Sequence, residues 1–280
     1  MRPGLAALAA LAALASTAGT PLVPEQAPCG VDVTSLVPLG LEQGAVVAAL
    51  AVAPGDAGHG EPAAVALELL GPGRDMPSIE VHFAFGAASA PGQRWAWIPG
   101  ASAELGPGSG PAIARLPGQA PAWVVLFSRS EAGGARPVAV LVRPDEEARR
   151  LDLEPVVLER ALHVFGPLVV PHGSGALLMW GESSGAADAI RVLPFPCAPD
   201  HAPVTIVEGL LASRFSASAT QGGFAAAWLE EDASSPEGWR LDVGIFDAAG
   251  KPVQGPVEAA AFETPARLLG LAARSDGIDV

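Results

Sequence analysis

The chain has 280 residues, half of them apolar, with 33 glycines, 28 prolines, no tyrosine and a net charge of −14. That charge excludes an electrostatic grip on nucleic acid or on anionic lipid. Glycine and proline at this density exclude a mainly helical protein and suit many strands joined by tight turns.

Met1–Thr20 reads as a secretory signal. Arg2 supplies the positive start, Leu5–Ala15 is an eleven-residue run of Leu and Ala, and small residues follow at the cleavage positions. The run is too short to cross a bilayer core of about 30 Å as a helix. Cleavage is expected after Ala18, with Ala15 as the alternative, so residues 1–18 form the signal and 19–30 an N-terminal arm. No second apolar stretch is long enough for a membrane span. The mature protein is expected outside the cytoplasm, extracellular or periplasmic, as a monomer. Gln26-Ala27-Pro28 precedes Cys29, which fits poorly with a lipid-modified cysteine. Cys29 and Cys197 are the only cysteines. In an exported chain two cysteines most simply form one disulfide. It would close a loop of 168 residues, and the chain-entropy picture assigns such a bridge about 5 kcal/mol.

Residues 31–280 are then the folded domain. Val31–Leu41 reads as an opening strand. Ala45–Ala53 and Ala63–Leu70 read as a hairpin around a Gly- and Pro-rich turn. Ser78–Phe85 alternates Ile79, Val81, Phe83 and Phe85 with Ser78, Glu80, His82 and Ala84, the period of a strand with one face to solvent. Arg94–Ile98 is a short aromatic piece. Leu105–Pro111, rich in Gly, Pro and Ser, reads as a loop and a break inside the domain.

Three later segments share one grammar. Ala122–Ser128, Gly175–Glu182 and Gly223–Glu230 are short apolar runs that end on an aromatic: Phe127, Trp180 and Trp228. Trp180 stands 53 residues after Phe127, and Trp228 stands 48 after Trp180. Each run is followed by a polar turn and a second extended segment, at 135–142, 189–195 and 239–246. After the last of these come a turn at Asp247–Gly250 and a further strand from Pro252 to Val257. Repeats of roughly 40–50 residues with about four strands each are the signature of propeller blades. The expected fold is all-β and β-propeller-like, with four-stranded antiparallel blades. Phe127, Trp180 and Trp228 are expected to pack between adjacent blades. A β-sandwich is the alternative. Arg267–Ala272 opens another unit, and Ile278–Val280 starts a strand in it. N-terminal strands complete this last blade, or the sequence is a fragment.

The pattern G-G-F-x-x-x-W, a gap, then R-L-x-V-x-I-F-D-A-A-G-K-P-V resembles the blade repeat of bacterial secreted β-propeller proteins. Gly222, Gly223, Phe224, Trp228, Arg240, Leu241, Phe246, Asp247, Gly250, Pro252 and Val253 carry the resemblance. It implies a fold. It implies no single activity.

Residue chemistry points to no reaction centre. His59, His82, His163, His172 and His201 lack metal-ligand spacing and read as surface or loop residues, with His163 and His172 able to converge only across a hairpin. Gly173-Ser174-Gly175 is not a nucleophile elbow. Ser234–Trp239 resembles a sialidase Asp-box but lacks its Asp. Arg129, Arg191, Arg214 and Arg240 read as strand-edge arginines. Asp145–Glu147 and Glu230–Asp232 read as acidic turn tips. No catalytic, cofactor-binding or metal residue is assigned, and no cofactor is expected. The expected function is a secreted, non-enzymatic module that binds a protein or glycan through its loops. One alternative is a polysaccharide hydrolase or lyase, which would need two carboxylates about 5–10 Å apart in a cleft. The other is a truncated chain with no function of its own.

Overall fold

The computed structural model describes residues 41, 43–53, 62–72, 75–87, 96–118, 121–144, 150–159, 161–185, 187–196, 202–209, 211–231, 238–262, 272–274 and 277–279. The signal, the arm, the segment 31–40, His59, His201 and both cysteines lie outside the described residues.

The described residues contain no helix. They form four four-stranded antiparallel sheets, each pairing its strands in chain order. Sheet 1 holds β1 (Val46–Ala53), β2 (Ala63–Leu70), β3 (Ser78–Ala87) and β4 (Ala96–Pro107). Sheet 2 holds β5 (Ser109–Arg115), β6 (Trp123–Glu131), β7 (Gly134–Pro144) and β8 (Leu151–Val157). Sheet 3 holds β9 (His163–His172), β10 (Gly175–Ser183), β11 (Asp188–Phe195) and β12 (Val204–Gly209). Sheet 4 holds β13 (Leu211–Thr220), β14 (Gly223–Glu231), β15 (Trp239–Asp247) and β16 (Pro252–Phe262). A short hairpin follows, β17 (Ala272–Arg274) and β18 (Gly277–Asp279).

The first strands lie beside one another in series: β1 with β5, β5 with β9, β9 with β13 and β13 with β17. Successive sheets therefore fan out from a common line. This is the propeller-like arrangement, not a pair of facing sheets, and the sheets do not close into a ring among the described residues. The three repeated apolar runs are β6, β10 and β14, the second strands of sheets 2, 3 and 4.

Each interface between sheets is an apolar cluster, and each is built the same way. Phe127, Val125 and Trp123 of sheet 2 pack with Ile79, Val81 and Phe83 of sheet 1. Trp180, Leu178 and Ala176 of sheet 3 pack with Val124, Leu126 and Leu141 of sheet 2. Trp228, Ala226 and Phe224 of sheet 4 pack with Leu177, Met179 and Val192 of sheet 3. The aromatic that closes each second strand thus faces the preceding sheet, and the residues alternating with it face the following one. This is the period-two geometry of a strand buried on both sides.

Two segments differ from the sequence reading. The 105–111 stretch is not a loop. β4 runs to Pro107 and β5 starts at Ser109, so the break is the single residue Gly108. A Cβ there would strike the Phe127 ring and the Ser128 carbonyl, and its N–H donates to Pro77 O at 3.0 Å. β3 is not a half-solvated strand. Ser78 and His82, on the supposed solvent face, are buried at 4% and 7% exposure.

Candidate functional site

The second strands of sheets 2, 3 and 4 place one row of residues in register across three strands of each sheet. In sheet 2 the row is Phe127–Val138–Val157. In sheet 3 it is Trp180–Arg191–Thr205. In sheet 4 it is Trp228–Asp242–Glu258. Directly paired residues in an antiparallel sheet share a face, and Phe127, Trp180 and Trp228 are each turned toward the preceding sheet. The scaffold repeats, and the row changes from apolar to basic to acidic.

Two steps beyond each tryptophan, on the same face, stands a glutamate. Arg191 donates to Glu182 from Nε at 2.6 Å and also holds Thr205 Oγ1. Glu182 in turn accepts from Trp180 Nε1 at 3.4 Å. In sheet 4, Glu230 pairs in register with Arg240. Arg240 donates to Glu230 Oε2 at 3.0 Å and, from Nε, to Asp242 Oδ2 at 2.7 Å. The bond to Asp242 is the main reason the Arg240 guanidinium holds its proton more firmly than usual. Asp242 is 4% exposed and depends on that pairing.

Between the outer strand of sheet 3 and this face of sheet 4 lies an open cleft of about 470 Å³. Trp228, Glu230, Arg240, Asp242 and Glu258 line it from sheet 4, together with Pro256. Ile206, Val207 and Glu208 line it from β12. Glu258 is exposed, and Glu208, exposed as well, pairs in register with Ala189, on the face of sheet 3 turned toward sheet 2. Trp228 is 2% exposed, and its indole N–H has no hydrogen-bond partner. The equivalent N–H of Trp180 is bonded to Glu182, whereas in sheet 4 Arg240 takes up Glu230 instead. Trp123 Nε1 is also unpaired, but that ring sits edge-on to Phe83, 4.9 Å between centroids, in a wholly apolar interface.

The remaining sequence candidates fall elsewhere. His163 and His172 stand at opposite ends of the one strand β9 and do not converge. Gly173-Ser174 is the tight turn between β9 and β10, with Gly173 at φ 58. His82 is buried, not a surface residue, and its Nε2 lies 3.0 Å from Glu80 Oε2. Burial lowers its pKa, against the opposing pull of Glu80. Arg129, Arg191 and Arg240 are each engaged within their own sheet, Arg129 over the Phe127 ring at 5.9 Å. Among the described residues no group of three or more His, Cys, Asp or Glu is disposed to hold a metal ion. No helix among them is long and apolar enough to cross a membrane. The sequence reading missed Asp242, Glu208 and Glu258 as site residues. The signal for Asp242 and Glu258, a carboxylate in register with a closing aromatic, exists only once the strand pairing is known. Comparison with family models, with curated proteins and with solved structures finds no match.

Proposed function

We propose that the chain is an exported, non-enzymatic binding module, related in kind to secreted β-propeller proteins, whose ligand-binding surface is the cleft between sheets 3 and 4. The carrying observation is how the cleft uses its carboxylates. Glu230 and Asp242 both hold one guanidinium, that of Arg240. Glycoside hydrolysis requires one carboxyl free to hand over a proton and a second free to attack or to activate water. A bridged pair fixes a side chain in place and serves recognition. The rigid sheets supply a fixed platform, and ligand sites on such platforms are concave with a few placed polar groups.

Glu258, which has no such bridge, favours the polysaccharide-acting enzyme as the second reading. One experiment separates the two. Purified protein is passed over glycan and peptide arrays and incubated in parallel with the same oligosaccharides, with release of reducing ends followed over hours. Saturable binding without new reducing ends is expected. Turnover that E258Q abolishes would replace the module with an enzyme.

Export has its own readout. Expressed with its own N-terminus in a bacterium, the protein should be recovered outside the cytoplasm starting at Gly19 or Ser16. Thiol titration without reductant should then find no free sulfhydryl at Cys29 and Cys197. An intact Met1 in the cytoplasm refutes export, and two titratable thiols in the folded protein refute the bridge.

A further inference from the structure

We draw no further inference here: the strongest candidate, the pair of arginines Arg129 and Arg136 that stand opposite each other in register on β6 and β7, carries nothing, because Arg136 is held by Glu131 and the Leu158 carbonyl, Arg129 lies over the Phe127 ring, and nothing in the structure points to an anion that the pair would take.

Discussion

Arg240 is the residue on which the acidic row depends. Asp242 is almost fully buried, and Arg240 meets it at 2.7 Å while itself remaining about one-third exposed. Arg240→Met leaves a buried carboxylate without its cation. A loss of about 2–3 kcal/mol is expected, below the range for a fully buried pair because water reaches the guanidinium. Urea denaturation of R240M, D242L and R240M/D242L measures it. The double variant should be more stable than R240M, since it removes the orphaned charge. His82 carries a second effect. Burial depresses its pKa in the folded state, with Glu80 as partner on its own strand and Glu104 across from Glu80 on β4. The unfolded chain therefore binds the proton more readily. Stability should be full above pH 6.5 and fall as pH drops from there through the folded pKa. H82Q should flatten that limb between pH 7.5 and 5 in thermal melts, and an unchanged slope would show that His82 is not its source.

At the level of strands, two glycines repeat one task. Gly175 opens β10 where the Phe195 carbonyl of β11 presses close, and Gly223 opens β14 against the Phe246 carbonyl of β15. A methyl at either position would strike backbone, which cannot rotate away. Gly223→Ala should cost about 1–3 kcal/mol by overpacking. Gly222→Ala next to it, where a Cβ meets nothing within 4 Å, should stay within about 0.5 kcal/mol. Chemical unfolding of the two variants side by side makes the comparison, and equal losses would place the constraint in backbone freedom instead. These glycines, with the aromatics at Phe127, Trp180 and Trp228, were the legible part of the sequence. Strand period and turn residues are local properties, so the second strands and their hairpins could be read directly. His82 was misread because alternation says which residues share a face and says nothing of what covers it. The acidic row was illegible for a related reason. Trp228, Asp242 and Glu258 meet only through the pairing of three strands, and the outer pairing shifts register between Leu241 and Asp242 and again after Val243. No rule of sequence spacing predicts where such bulges fall.

For the whole molecule, stability is laid down in series. β6, β10 and β14 are paired on both edges and packed on both faces, with Val124, Leu178 and Ala226 fully buried. β16 is the outer strand of sheet 4, with Val253 70% and Val257 52% exposed. Hydrogen exchange read by mass spectrometry should show the slowest amides in the three second strands and the fastest, among strands, in β16. Uniform protection across all four strands of a sheet would contradict this layering.

The orientation of the closing rings gives the arrangement a direction. Phe127, Trp180 and Trp228 each point back to the sheet made before them, into a surface of small and branched aliphatic side chains that their own sheet also offers on its far side. Plug and socket thus travel together in one stretch of about fifty codons. Duplicating that stretch delivers both halves of a new junction at once, and leaves single positions such as 138, 191 and 242 free to diverge afterwards into different chemistry.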